Sequence, residues 1–359
     1  MIKYTLRRII QAIPTLFGIT IFSFALMYLA PGGPVAALTF GPNVPQYQKE
    51  REAAKLGLND PVYIQYLRWL LGDDWMRWDS DGDKVADGAF LLALDVNGDG
   101  EPEPPGDRYG IVRGDFGKSF FYKREVGSMI GERVAATLEL GATSLFLGIT
   151  IGTPVGILAA VRKKGWFDSI TRILAVVFNA IPIFWLGLIL ILIFGSWLRA
   201  LPMGGRCDPL ILSGGCPPMW GRIEYLLLPT FVLATGWVAV LSRYMRASML
   251  DVMSQDYMRT AHSKGLAGTV VWFKHGARNA AIPLATFIGP AITGLLSGAA
   301  ITETIFSWPG LGRFAVGAVT SQDYPVVMAV VIIGAVATIG GYILSDILYA
   351  LIDPRIRFN

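Results

Sequence analysis

The sequence predicts an all-α membrane protein with six transmembrane helices, on the strength of its composition and of six long apolar stretches. Of its 359 residues, 53% are hydrophobic and only 16% are charged, and the mean hydropathy is +0.49. This apolar surface exceeds what one soluble core would bury, which indicates a bilayer. Six stretches approach or exceed the roughly 20 apolar helical residues that cross a hydrocarbon core of about 30 Å. They are Ile9–Ala30, Ala135–Val161, Ile173–Leu198, Tyr225–Leu241, Ala280–Ile301 and Val326–Ile352.

Two of the six stretches have ends that need interpretation. Three basic residues precede the first stretch, as in a secretory signal peptide, but the stretch is too long for a signal and the segment 31–34 offers no small-residue cleavage site. We interpret it as a retained helix. The fourth stretch is the shortest, and its end at Ser242 leaves open that the helix continues into water.

The basic residues of the short loops predict the orientation, because cytoplasmic loops are enriched in lysine and arginine. With six spans, all the basic clusters fall on one side, which we predict to be cytoplasmic together with both termini. The clusters comprise Lys3, Arg7 and Arg8; Arg162, Lys163, Lys164 and Arg172; Arg243, Arg246, Arg259, Lys264, Lys274 and Arg278; and Arg355 and Arg357. A net charge of +4 distributed in this way does not indicate a nucleic-acid-binding protein.

This topology divides the chain into four parts. They are the cytoplasmic N-terminus with the first helix (1–30), an extracytoplasmic region (31–133), the transmembrane domain with the other five helices (134–353) and the cytoplasmic C-terminus (354–359). The extracytoplasmic region contains an acidic insert at 72–110, and the transmembrane domain contains a polar cytoplasmic loop at 242–279.

The acidic insert has oxygen-bearing side chains at alternate positions, a spacing that suits calcium. They are Asp79, Asp81, Asp83 and Asp87, followed by Asp95, Asn97 and Asp99. Gly100 stands where an EF-hand loop turns, but Gly106 stands where that loop needs its bidentate glutamate. Carboxylates this close together repel one another unless a cation neutralises them. Two interpretations remain open, an insert ordered by calcium and an acidic surface loop without metal.

The two cysteines of the chain, Cys207 and Cys216, both lie in the predicted external loop between the third and fourth spans. A disulfide fits that position because the external compartment can be oxidising. Two free thiols are the alternative.

The cytoplasmic loop contains the most informative motif, which extends from Asp256 to Pro283. It reads Asp256-Tyr257-Met258-Arg259-Thr260-Ala261-His262-Ser263-Lys264-Gly265 and closes with Ile282-Pro283. The segment resembles the coupling loop of ABC importer permeases, whose pattern is Glu-Ala-Ala, three residues, a glycine, and later an apolar residue and a proline. The triplet Arg259-Thr260-Ala261 replaces Glu-Ala-Ala here, a form typical of the dipeptide, oligopeptide and nickel branch.

Other ordered matches extend the resemblance to nearly the whole chain outside the insert. They include Leu6-Arg7-Arg8, Ile13-Pro14-Thr15, Leu29-Ala30-Pro31-Gly32, Leu56-Gly57-Leu58, Gly114-Asp115-Phe116-Gly117, Leu201-Pro202, Glu303, Ile305-Phe306, Pro309-Gly310-Leu311-Gly312, Asp323-Tyr324-Pro325 and Asp353-Pro354-Arg355. The chain is similar to the first of the two permease subunits of this branch, which implies the type I importer fold.

The resemblance implies a function and a set of partners. A permease of this kind pairs with a second homologous permease in the cytoplasmic membrane of a prokaryote, binds two cytoplasmic ATPase subunits, and receives its substrate from an extracytoplasmic binding protein. ATP and magnesium belong to the ATPase subunits, so the chain itself is not an enzyme and needs no cofactor of its own. Di- or oligopeptides are the implied substrates, with nickel chelates, glutathione and oligosaccharides as alternatives.

The resemblance also implies which residues dock the ATPase subunit. They are Asp256, Tyr257, Arg259, Thr260, Ala261, Lys264 and Gly265. Small Ala261 and helix-ending Gly265 would let a short helix lie in a groove of the partner, with Arg259 and Lys264 as ionic contacts at its rim. The alternative is an amphipathic connector resting on the membrane surface.

Other functional classes find little support in the sequence. A secondary transporter would need internal repeats with paired broken helices, and no duplicated halves are evident. Gly117-Lys118-Ser119 ends like a Walker A loop, but Val112 occupies the position of its first glycine, so no nucleotide site is predicted. Glu139, Glu303 and Asp346 lie at or within spans, and we expect them to pair with other polar groups rather than to contact substrate.

Overall fold

A computed structural model describes residues 2–29, 47, 61–72, 77–78, 88–89, 109–208, 216–287, 291, 294 and 299–352 of the chain. These residues are almost entirely helical. They belong to two compact units. The first comprises Met1–Ile10, Arg133–Phe314 and Val336–Asn359, and the second comprises Gln11–Glu132 and Ala315–Ala335.

The α-helices, in chain order, are α1 Ile2–Leu29, α2 Val62–Leu71, α3 Val126–Val161, α4 Trp166–Ala180, α5 Ile183–Leu190, α6 Ile223–Met253, α7 Asp256–Ser263, α8 Gly268–Val270, α9 Ala277–Ala280, α10 Ala300–Ile305, α11 Leu311–Thr320 and α12 Tyr324–Ile352. Three 3-10 segments (Ile111–Arg113, Met219–Arg222 and Ile282–Phe287) and two π-helical segments (Ile191–Trp197 and Val271–Gly276) complete the helical structure. The described residues also include one antiparallel pair of two-residue strands, β1 Arg77–Trp78 and β2 Gly88–Ala89, and the protein is helical as expected.

Four helices of the described part are long and apolar enough to cross a bilayer. They are α1, α3, α6 and α12. Each contains one of the predicted apolar stretches, because a run of apolar side chains without an interior break satisfies its backbone groups within one helix. Helix α6 continues beyond Leu241 to Met253, so the fourth predicted stretch does extend as helix.

The third predicted span, Ile173–Leu198, is not one straight helix. Helices α4 and α5 meet at an angle of 96°. The cause is Pro182, which has no backbone N–H to donate into the helix and disfavours helical dihedrals at the preceding residue. Ile181 accordingly adopts an extended conformation with φ −72° and ψ 124°. In the fifth predicted span, Ala280–Ile301, residues 288–290, 292–293 and 295–298 lie outside the described residues.

The second unit places α2 against α1 through aromatic and polar contacts. The hydroxyl of Thr20 lies 2.8 Å from that of Tyr66, and the ring of Phe24 packs 5.4 Å from the Tyr66 ring and 5.5 Å from that of Trp69. The amphipathic sequence of α2 therefore buries its inner face on α1.

A second contact of this unit involves the Walker-like segment. Asp323, fully buried just before α12, accepts hydrogen bonds from the hydroxyl of Ser119 at 2.5 Å and from the backbone N–H of Phe120 at 3.0 Å. The serine therefore holds a loop against the start of a helix.

In the first unit, three glycines at intervals of four residues bring α3 into backbone contact with α6. A Cβ atom added at Gly148 would lie 2.3 Å from the Cβ of Trp237, and one added at Gly156 would lie 2.6 Å from the carbonyl oxygen of Ser242. A Cβ atom added at Gly152 would lie 3.2 Å from the Cα of Val238. Small residues at this spacing are typical of membrane helices that pack closely, so the α3–α6 pair forms the frame for the site described below.

Candidate functional site

Helix α7 carries the predicted docking residues, and its two ends follow from the sequence. Gln255 is extended and precedes the helix, and Asp256 places a carboxylate in the first turn, where the helix dipole favours negative charge. The helix ends at Ser263, and Gly265 then adopts a left-handed conformation with φ 73°. Glycine adopts such a conformation without steric cost, which accounts for the glycine of the motif.

The two faces of α7 differ in exposure. Asp256, Arg259, Thr260 and Lys264 are exposed, whereas Met258 is buried with 1% of its surface accessible. Tyr257 is 41% exposed on the outer side. The side chains of Arg259 and Asp256 lie 3.5 Å apart and are both largely in solvent, a pair that contributes little to stability. The outer face is therefore an accessible, mostly polar surface.

Ala261 is the buried member of the predicted docking set. It is 8% exposed and packs inside this chain. Its small side chain allows α7 to approach the rest of the protein closely. The exposed members of the predicted docking set are thus Asp256, Tyr257, Arg259, Thr260 and Lys264, with Gly265 at their end.

The buried face of α7 packs on a cluster of apolar residues that we call the methionine cluster. Its members are Ile157, Ala160, Met245, Met249, Met258, Ala261, Val271 and Ala280. They come from α3, α6, α7, the π-helical segment and α9, so one small core joins α7 to the two long helices of the first unit. A displacement of α7 would therefore be transmitted to α3 and α6 by contact.

An ion pair fixes α4 to α6 near this cluster. Arg246 donates from Nε to Asp168 Oδ1 at 2.6 Å and from Nη2 to Asp168 Oδ2 at 2.8 Å, a two-pronged geometry that gives strong charge-assisted bonds. The Asp168 side chain is 1% exposed and also accepts from the backbone N–H of Lys164. In the sequence Arg246 indicates only the orientation of the chain, although an acid and an arginine beside apolar stretches can signal a buried pair.

Glu139 on α3 is the centre of a second buried ionic group. Arg206 donates to its Oε2 from Nε at 2.9 Å and from Nη2 at 2.6 Å, and Arg222 donates to Oε1 and Oε2 at 2.9 and 2.8 Å. Both arginines lie in the connection between α5 and α6. In the same connection Cys207 and Cys216 form a disulfide with Cα atoms 5.7 Å apart. The bridge and the ionic group together hold this connection against α3.

Glu303 is another ionisable residue expected to pair, and it is completely buried. It accepts hydrogen bonds from the hydroxyl of Thr137 at 3.0 Å and from the backbone N–H of Arg313 at 2.9 Å. Trp308 donates from its indole nitrogen to the carbonyl oxygen of Ala136 at 2.8 Å. Asp346 pairs with Arg8 at 3.2 Å. The expected polar pairing is found for Glu139, Glu303 and Asp346.

Gly312, in the first turn of α11, offers a test of how closely α11 packs on the start of α10. A Cβ atom there would lie 2.7 Å from the backbone nitrogen of Ala300, so we expect Gly312→Ala to destabilise the protein by about 1–3 kcal/mol through overpacking. The control is Gly317→Ala in the same helix, where no atom lies within 4 Å and better helix propensity should stabilise by up to about 1 kcal/mol. Unfolding in mixed detergent micelles measures both. An unchanged free energy of unfolding in Gly312→Ala would contradict the close approach of Gly312 to Ala300.

The proposed calcium ligands lie outside the described residues. This applies to Asp79, Asp81, Asp83, Asp87, Asp95, Asn97 and Asp99. Within the described part of the chain, no group of three or more histidine, cysteine, aspartate or glutamate side chains is placed to hold a metal ion.

The long apolar helices, the buried ion pairs and the exposed polar helix define a helical membrane protein with a solvent-facing site. Comparison with known families identifies it further. Residues 152–358 match the family described as "Binding-protein-dependent transport system inner membrane component", and residues 1–77 match the N-terminal region of such membrane components. The chain belongs to this family of transport-system permeases and is a multi-pass protein of the inner membrane.

Several curated proteins resemble the chain over its whole length. The oligopeptide transport system permease protein AppB of Bacillus subtilis is 39% identical, with 100% of both chains covered. The dipeptide transport system permease protein DppB of Escherichia coli K12 is 33% identical, with 99% of each covered. Among solved structures, an inward-facing form of the MetNI methionine ABC transporter matches 63% of this chain and 97% of its own, with a TM-score of 0.46 and 16% identity.

Proposed function

We propose that this chain is the permease subunit of an ATP-driven importer that moves di- or oligopeptides across the cytoplasmic membrane. Its full-length similarity to AppB and DppB, named as permeases for oligopeptides and dipeptides, supports the substrate class. Nickel chelates, glutathione and oligosaccharides are the alternative cargoes of such a permease. ATP and magnesium act on separate ATPase subunits, and this chain provides the path.

The geometry of α7 is the observation that carries the proposal. The helix has one face exposed and polar and the other buried in the methionine cluster, which includes residues of α3 and α6. A connector resting on the membrane surface would turn apolar side chains outward. Here the exposed residues include Asp256, Arg259 and Lys264, which suit a soluble partner with a charged rim.

The proposed cycle follows from this attachment. Two ATPase subunits that close on ATP push α7 and its counterpart on a second homologous permease. The shared path then changes from inward-facing to outward-facing, and an extracytoplasmic binding protein delivers peptide into it. ATP does work because it binds the two states with different affinity.

We further propose the six-span topology with both termini in the cytoplasm. Four spanning helices and the bent pair α4–α5 account for five spans. The remaining span would include the predicted stretch Ala280–Ile301, of which residues 288–290, 292–293 and 295–298 lie outside the described residues. In this topology the disulfide connection between α5 and α6 is extracytoplasmic, whereas α7 is cytoplasmic.

The cysteines give a direct test of this topology. Because the chain has two cysteines, Cys207→Ser leaves Cys216 as its only thiol. We expect a membrane-impermeant maleimide to label this thiol from outside intact cells. As a control, Ser254→Cys in a chain with both native cysteines replaced by serine places a thiol at an exposed position beside α7. That thiol should be labelled only after permeabilisation, and the reverse pattern would contradict the orientation.

Reconstitution tests the function itself. The chain is incorporated into liposomes with its partner permease and ATPase subunits, and the binding protein is supplied outside with a labelled peptide. Uptake should require ATP hydrolysis and should be competed by unlabelled peptide. If only a nickel chelate, glutathione or an oligosaccharide competed with the uptake, that compound class would replace peptides as the proposed substrate. Uptake driven by an ion gradient without ATP would contradict the proposal in favour of a secondary transporter.

A further inference from the structure

A groove of about 410 Å³ lies between α3, α4 and α6 in the first unit. Its wall is almost wholly apolar and includes Leu147, Ile151, Trp166, Phe167, Leu174 and Phe231. No residue of α7 lines this groove.

The three hydroxyl groups of the groove wall already donate hydrogen bonds within their own helices. Thr171 donates its hydroxyl to the carbonyl oxygen of Phe167, Thr235 donates to that of Val232, and Ser242 donates to that of Ala239. A hydroxyl that already bonds within its own helix gains little from a polar ligand. The groove is therefore suited to an occupant without polar groups along its length.

The length of the groove corresponds to one leaflet of a bilayer. Its wall follows α4 from Trp166 to Phe178, a distance of about 18 Å at 1.5 Å per helical residue. Half of a hydrocarbon core of about 30 Å is about 15 Å. One extended acyl chain therefore matches the groove in both length and polarity.

One end of the groove carries a concentration of positive charge. The turn before α4 contains Arg162, Lys163 and Lys164, and all three are exposed. The guanidinium of Arg162 lies 5.5 Å from the ring centre of Phe167, a residue of the groove wall, so the basic turn and the groove are contiguous. Asp168, the acidic residue nearest this turn in the sequence, is buried and bonded to Arg246.

We propose that this groove binds an acyl chain of an anionic phospholipid, with the phosphate of the headgroup held at Lys163 and Lys164. Basic pockets at the ends of membrane helices are suited to anionic headgroups, and each lysine near the surface adds about 1 kcal/mol to such binding. Two lysines should favour an anionic over a zwitterionic phospholipid by about 10- to 30-fold. The apolar wall then holds the chain of a lipid that the lysines have selected.

Native mass spectrometry of the full-length chain in detergent tests the proposal, with phosphatidylglycerol or phosphatidylcholine added in equal amounts. The wild-type chain should retain phosphatidylglycerol preferentially. Lys163→Glu combined with Lys164→Glu should abolish the preference. Thr235→Phe, which fills the groove, should reduce retention of the lipid as a whole.

Matched control variants show whether an effect on lipid binding comes from the groove itself or from any change of charge or side-chain size. Lys274→Glu with Arg278→Glu makes the same change of charge at exposed positions away from the groove, and Thr150→Phe makes the same exchange at an exposed position outside its wall. Both should keep the preference. Equal retention of the two lipids by the wild type, or no effect of the groove and lysine variants, would overturn the proposal. The proposal would also be overturned if the chain formed a dimer that Thr235→Phe dissociates, because a second copy of the chain would then occupy the groove.

Discussion

Gly265→Arg is expected to abolish association with the ATPase subunit, and with it transport, while leaving the chain inserted in the membrane. Gly265 ends α7 in a left-handed conformation on the exposed side, and no other atom lies within 4 Å of a Cβ added there. The arginine would therefore project a bulky charge into the space that the proposed partner occupies. We expect the ATPase subunit that copurifies with a tagged permease to fall by at least about tenfold, equivalent to 1.4 kcal/mol of docking free energy.

Two further variants at this position separate docking from backbone strain. Gly265→Ala carries the left-handed strain of about 1–2 kcal/mol without the bulk, and Gly265→Asn adopts that conformation more readily. Both should retain most of the copurifying ATPase. If Gly265→Ala lost as much ATPase as Gly265→Arg, the cause would be the helix end itself. Normal copurification and transport by Gly265→Arg would contradict docking at α7.

Glu139→Gln is expected to give the largest loss of stability. The substitution removes the carboxylate that neutralises Arg206 and Arg222, whose side chains are only 19% and 10% exposed. Breaking a buried ion pair by removing one partner typically costs about 3–5 kcal/mol, because the remaining charge has no compensation. The measurement is the free energy of unfolding in mixed detergent micelles.

The same helix provides the control for this prediction. Glu132, also on α3, pairs with Arg124 near the surface, and its side chain is 52% exposed. Glu132→Gln should cost at most about 1 kcal/mol, as is usual for exposed pairs. Equal small losses for both substitutions would mean that the two arginines find other partners or water when Glu139 is gone.

The sequence predicted the continuous helices well because their signal is local. Each of α1, α3, α6 and α12 is a run of apolar residues, and such a run in a bilayer has few alternatives to a helix. Bending of the third span was not predicted, although Pro182 was visible in the sequence. Many membrane helices accommodate a proline without a break, so the outcome depends on neighbouring helices that a linear pattern does not reveal.

The motif predicted where α7 lies in the chain, but not which of its side chains are exposed and which are buried. The motif predicted the positions of α7 and Gly265 from the order of residue types. Which side chains point outward depends on the residues beneath them, and the methionine cluster comes from segments more than 100 residues apart in the chain. For the same reason the sequence did not connect Asp168 with Arg246 or Glu139 with its two arginines.

The methionines beneath α7 have a mechanical consequence. Met245, Met249 and Met258 are unbranched and polarizable, and such side chains adapt to changes in the shape of their surroundings. When a partner tilts α7, we expect these thioethers to exchange one set of contacts for another while the helix stays covered. The two-pronged bond between Asp168 and Arg246 allows no such exchange. We therefore expect α7 to shift against α6 while the ion pair keeps α4 and α6 in fixed contact.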